Sequence, residues 1–317
     1  MKNIRFVAGF ALLALFALSI AQAQDRNLMN SVPKPTARHA VAAVKQSAPG
    51  ARSAADTCAY TFVNAGSGNS YMEFCVSVNG NLISFQSPSG IEYLDLGTLS
   101  EGYGVCDVST GAVYYDYADY GATGFGAATT LSSSATSVKI ARTTSDGAWT
   151  LTQTISKVSG TSPYAKIEMQ LKNNSGVEKE AYLIRWADVD PFNAASTGYF
   201  EESFDSTYNS AWGYTNDYNY YNGDYNGYGL MIQNIGYPTT TPAGYWGYEA
   251  ANWYVNWSPG SYYDASASPC DPFEYYAGPT TNNPSGTDEV DGSVLIWYIF
   301  DINAKKTATT YTRYVAF

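Results

Sequence analysis

The chain has 317 residues, with 17 Lys and Arg against 28 Asp and Glu, and it carries 29 Tyr, 7 Trp and a single His. An acidic chain without a basic stripe lacks the cationic footprint that nucleic acids and anionic lipids require, which argues against both as partners. The one histidine, His39, precedes the strand-rich part of the chain. Ser-His-Asp and Cys-His nucleophile systems are thereby removed, and zinc or copper would lack their usual imidazole ligands.

In chain order, Lys2 and Arg5 precede an apolar run over residues 6–20, followed by Ala21-Gln22-Ala23, the small-x-small shape of a signal-peptidase site. The run is short of the ~20 residues that span a bilayer, so residues 1–23 read as a signal peptide and the mature chain is expected to begin near Gln24. The product is then secreted, periplasmic or extracellular, with no membrane span after cleavage. Residues 24–57, broken by Pro33, Pro35, Pro49 and Gly50 and enriched in basic residues, read as a flexible linker or pro-segment. Cys58, Cys75, Cys106 and Cys270 in an exported chain predict two disulfides, with three pairings open.

From residue 58 the hydrophobic period becomes two. Met72, Phe74, Val76 and Val78 alternate with Glu73, Cys75 and Ser77, and Asn79-Gly80 is expected to supply the positive-φ residues of a hairpin that returns over 82–85. A glycine-rich passage (Gly97, Gly102, Gly104), a tyrosine strand over 113–117 and a loop over 121–134 come next. A meander then reads clearly. Residues 138–142 turn at Ser145-Asp146-Gly147 into a strand with Trp149, Leu151 and Ile155; this turns at Gly160 into Ala165, Ile167, Met169 and Leu171, and a turn at 173–176 leads into 181–190. Residues 294–300 are continuously apolar, as a strand covered on both faces would be, and 307–317 form a Thr/Tyr strand.

About a dozen strands and no helical spacing predict an all-β fold, a large antiparallel two-sheet sandwich with long loops spanning 58–317 as one domain. An outer-membrane β-barrel is the alternative. Against it, Arg313 shares a face with Tyr311, Val315 and Phe317 that a barrel would turn toward lipid.

Between Trp186 and Ala304 there is no Lys or Arg, yet the segment holds 15 of the carboxylates; between Tyr199 and Tyr276 lie 16 of the tyrosines. Gly, Asn, Ser and Pro space the rings, so 186–304 reads as a loop-rich acidic and aromatic face. Asp188 and Asp190 close a strand and Glu201 and Glu202 follow, a carboxylate set that suits either the acid and base of glycoside hydrolysis or calcium ligation. Asn222, Asp224, Asn226 and Gly227 repeat the first spacings of a calcium loop, but Gln233 stands where the bidentate Glu belongs. Calcium held by Asp188, Asp190 and Asp224 is the cofactor expected.

Sugars present apolar C–H faces ringed by hydroxyls, and Trp212, Tyr214, Trp246, Trp253 and Trp257 offer rings with a polar edge. The sequence therefore predicts an exported protein that binds a neutral glycan or cell-surface component without turning it over. The alternatives are a glycoside hydrolase built on Asp188, Asp190, Glu201 or Glu202, and a structural or adhesive surface protein.

Overall fold

A computed structural model describes residues 57–94, 101–118, 121–189, 200–205, 210–215, 228–236, 245–254, 270, 288–289 and 292–317. At 121, 200–205, 214–215, 245–254, 288–289, 292–293 and 297 the description is of the backbone. The expected signal peptide, the linker up to residue 56, and Asp190, Asp224 and Trp257 lie outside the described residues.

The strands in chain order begin with β1 (Tyr60–Asn64), β2 (Met72–Val76), β3 (Leu82–Gln86), β4 (Glu101–Asp107), β5 (Ala112–Tyr117) and β6 (Gly121–Thr123). They continue with β7 (Thr129–Ser133), β8 (Ser137–Thr143), β9 (Trp149–Val158), β10 (Tyr164–Asn173), β11 (Lys179–Asp188) and β12 (Phe200–Asp205). The last are β13 (Ser210–Thr215), β14 (Tyr228–Gly236), β15 (Tyr245–Tyr254), β16 (Asp288–Glu289), β17 (Gly292–Ile302) and β18 (Thr307–Ala316). Among the described residues the one helical element is a 3-10 turn at Gly68–Ser70.

The all-β expectation holds, as antiparallel sheets in a sandwich-like arrangement that does not close into a barrel. Among the described residues there are three sheets where two were expected: β1-β2-β3, a nine-stranded sheet ordered β16-β12-β13-β14-β18-β10-β9-β8-β7, and a six-stranded sheet ordered β15-β17-β11-β4-β5-β6. One apolar core joins them, with Phe62, Phe74 and Phe85 from the small sheet, Val105, Leu183 and Ile296 from the six-stranded sheet, and Leu151, Ile167 and Ile232 from the nine-stranded sheet.

The meander holds through β8, β9 and β10 and then departs from expectation. The free edge of β10 pairs with the C-terminal strand, from Ala165 opposite Tyr314 to Lys172 opposite Thr307, and β11 crosses to lie between β4 and β17. The sequence contains the reason. β10 alternates buried and half-buried residues, whereas Leu183, Ile184, Trp186 and Ala187 of β11 are all buried, as a central strand covered on both faces requires.

Three other segments differ from expectation. In the β2–β3 hairpin only Gly80 takes a positive φ, 95°, and Ser77 N–H donates to the Asn81 carbonyl at 2.9 Å, so the turn is wider than a two-residue loop. The glycines at 102 and 104 lie inside β4, which is buried along its whole length. A Cβ at Gly102 would fall 2.4 Å from the Tyr117 ring and 2.9 Å from the Trp186 indole nitrogen, so glycine here lets two rings close over a strand. Residues 121–134 hold two short strands, and parts of the stretch expected as loops are strand, from β12 to β16, while β17 falls on the apolar run expected as a strand.

The core also contains ions that periodicity could not reveal. Glu101 and Arg185 are both fully buried, and Arg185 Nε donates to Glu101 Oε1. Tyr314 Oη donates to the same carboxylate at 2.7 Å and the Leu82 N–H to its other oxygen at 2.7 Å. The rest of the guanidinium donates to Gln153 Oε1 and to the Gly80 carbonyl. Every charge is therefore met by several partners, and the network spans all three sheets. A second buried pair, Arg142 with Asp116, is held by Tyr103 Oη and by Asn79.

Candidate functional site

A buried ion pair with no solvent contact cannot meet a substrate, so the Glu101 network is a cross-sheet fastening and function has to be sought on the outward faces of the sheets. Strand parity defines these faces. In β13, Ala211 belongs to the core and a Cβ on Gly213 would meet Val189 Cβ at 2.8 Å, so Ser210 and Trp212 face away from it. In β14, Leu230 and Ile232 are core, leaving Met231 and Gln233 outward; in β18, Tyr314 is core, leaving Arg313 and Val315 outward.

Register then assembles two adjacent rows on the nine-stranded sheet. Trp212 lies opposite Met231, which lies opposite Val315, giving an apolar row; Ser210 lies opposite Gln233, which lies opposite Arg313, giving a polar one. Arg313 lies in turn opposite Lys166 of β10. The Arg313 guanidinium sits 5.5 Å from the Tyr164 ring centroid, and its Nε donates to Gln233 Oε1 at 2.7 Å, so its position is fixed from two sides. Lys166 lies 4.7 Å above the Tyr311 ring.

Burial deepens across this face from β10 to β13. Tyr164, Lys166 and Tyr311 are half-buried, Arg313 is 9% exposed, Trp212 5% and Ser210 1%. Trp212 is therefore not the open loop platform the composition suggested but a strand residue on the floor of the face. Among the described residues the Trp212 Nε1–H and the Ser210 hydroxyl have no hydrogen-bond partner. A buried donor left unsatisfied costs about 1–3 kcal/mol, and such groups in native folds call for a functional or solvent explanation.

The remaining sequence candidates divide between the nine-stranded and the six-stranded sheet. Backbone register sets Tyr214 opposite Glu201, Glu201 opposite Glu289, and Glu202 opposite Asp288. Asp188 is buried and ends β11 in the six-stranded sheet, opposite Ser293, which is opposite Trp253. That second outward face also carries Tyr115 stacked on Tyr117 at 4.5 Å, with Trp186 edge-on at 5.1 Å. Trp246 falls in the register shift between Tyr245 and Gly247.

Asp188 and Glu201 thus belong to different sheets. Among the described residues no three His, Cys, Asp or Glu side chains gather as metal ligands. The disulfides are Cys58–Cys75 and Cys106–Cys270, and the second joins β4 to the acidic stretch.

Sequence reasoning missed Ser210, Met231, Gln233, Arg313, Tyr164 and the acids Asp288 and Glu289 as site residues. One signal was available: Arg313 stands at an outward position of an otherwise Thr, Tyr and Val strand, where a charge is costly without a task.

No protein-family model and no curated protein sequence matches the chain. Among solved structures it is similar to a bacterial glucoamylase complexed with acarbose, at 12% identity and a TM-score of 0.46, over 87% of this chain and 35% of that one. A protein named as an aldose 1-epimerase from Escherichia coli matches at 9% identity and a TM-score of 0.43, over 81% of this chain and 99% of that one. An inverting mannosidase from Bacteroides thetaiotaomicron matches at 12% identity and a TM-score of 0.32, over 84% and 29%. The chain spans about a third of the glucoamylase, and no residue correspondence follows from likenesses of this size.

Proposed function

We propose that the protein binds a neutral glycan, without cleaving it, on the outward face of β13, β14, β18 and β10. The observation that carries this reading is the pair of buried, unpartnered donors, Trp212 Nε1–H and Ser210 Oγ–H, set beside the fixed Arg313–Gln233 pair and rimmed by Tyr164 and Tyr311. Tyrosine edges at the rim and donors on the floor suit a ligand with apolar C–H faces and oxygen acceptors, as a sugar has. The acidic composition of the chain disfavours anionic polymers.

One observation favours the hydrolase as second reading. Backbone register sets Glu201 opposite Glu289 on adjacent strands, so two residues of the type that glycoside hydrolysis uses occupy neighbouring positions. A glycan array followed by a reducing-sugar assay on the positive glycans tests both. Binding of neutral glycans without release supports the proposal. Release that is lost in Glu201→Gln and Glu289→Gln replaces it with the hydrolase, and an array silent for neutral glycans leaves a structural or adhesive surface role.

A further inference from the structure

The donor set on the floor of the face is more selective than a general sugar platform. An indole N–H and a guanidinium donate and cannot accept, and the Gln233 carbonyl already accepts from Arg313 at 2.7 Å. A sugar hydroxyl brings a proton that Ser210 Oγ can accept only by turning its own proton away, so a floor of this kind suits best a group that only accepts. Directly beside the donors runs the apolar row, with Met231 and Val315 each 2% exposed.

Resting on the glycan-binding reading above, we infer that the floor formed by Ser210, Trp212, Met231, Gln233, Arg313 and Val315 takes the acetamido group of an N-acetylated hexose. Its carbonyl oxygen accepts from Trp212 Nε1–H and Ser210 Oγ–H, which relieves two buried donors. Its methyl group packs along Met231 and Val315, while the pyranose ring lies toward the half-buried rim of Tyr164 and Tyr311.

Two competing groups fit less well. A carboxylate, as in a uronic acid, is also an acceptor, but it brings a negative charge to a body in which residues 58–317 hold ten Lys and Arg against 26 Asp and Glu, and it has no methyl for the apolar row. A plain hydroxyl oxygen can accept, but it brings a proton of its own to place and has no methyl for the apolar row.

The test is a calorimetric titration of the full chain with the β-methyl glycosides of N-acetylglucosamine, glucose and glucuronic acid, together with the Ser210→Ala and Trp212→Phe variants. The acetamido sugar is expected to bind about tenfold more tightly than glucose, the worth of one or two hydrogen bonds to buried donors. Ser210→Ala, a small change, should lower affinity for the acetamido sugar more than affinity for glucose and so shrink that preference, and thermal melts of both variants report whether they fold. Equal affinity for glucose and its acetamido analogue overturns the inference while leaving glycan binding intact. Tighter binding of the glucuronide overturns it in favour of an acidic sugar. If none of the three binds and the array is silent for neutral glycans, the glycan reading itself fails, and the inference fails with it; if none binds but the array finds neutral glycans without acetamido groups, the inference alone fails.

Discussion

Trp212 and Glu101 represent two ways in which this chain buries polarity. Glu101 is surrounded by donors; even so, burial pushes its carboxyl up from 4.5 to about 7, against the pull of Arg185, Tyr314 and the Leu82 N–H. A carboxyl raised in the fold binds protons more readily there than in the unfolded chain, so its contribution to stability is full below about pH 4.5 and falls as pH rises toward 7. The predicted outcome in urea unfolding is that the stability of wild type relative to Glu101→Gln declines between those pH values; a flat difference contradicts it. Breaking the pair from the other side is costlier. Arg185→Met leaves Glu101 buried without its counter-charge and should cost about 3–5 kcal/mol, while pairing it with Glu101→Leu should recover much of the loss. Trp212, by contrast, keeps a buried donor without a partner among the described residues.

At the scale of the strands, β4 shows how packing overrides local preference. Its glycines, read from sequence as a turn-rich passage, are there because Tyr117 and Trp186 close over Gly102. Gly102→Ala should overpack this contact and lower stability by about 1–3 kcal/mol in a thermal or urea melt, and a neutral effect would mean the rings have room to move. The same contrast explains which parts of the fold the sequence made legible. The β8–β9–β10 meander was readable because buried residues alternate with half-buried ones, which writes a period of two into the residues, and the β2–β3 hairpin because Met72, Phe74 and Val76 alternate ahead of Asn79-Gly80. The crossing of β11 and the strands from β12 to β15 were not, since in them Tyr, Trp, Gly and Asn serve as strand residues although the same types dominate turns. Of the candidate site, Trp212, Tyr214 and Glu201 were found by composition. Ser210, Gln233 and Arg313 join them only through a register that links residues up to about a hundred positions apart in the chain.

For the molecule as a whole, Cys106–Cys270 closes a separation of 164 residues and Cys58–Cys75 one of 17. Chain entropy assigns about 5 kcal/mol to the longer loop and about 3 kcal/mol to the shorter, so the Cys106→Ser/Cys270→Ser variant should melt below Cys58→Ser/Cys75→Ser. Residues 186–304 hold 15 carboxylates and no Lys or Arg, so like charges repel within this segment. Calcium, proposed at Asp188, Asp190 and Asp224, would relieve such repulsion, and it predicts a melting temperature higher in millimolar calcium than in chelator, equal values counting against it. The central claim is that the outward face around Trp212 is the binding surface. It is tested most directly by titrating the strongest neutral glycan from an array against wild type and Trp212→Ala, with thermal melts confirming that both are folded. The account predicts saturable binding by wild type and a loss of about tenfold or more in the variant; unchanged affinity in a folded Trp212→Ala protein would contradict it.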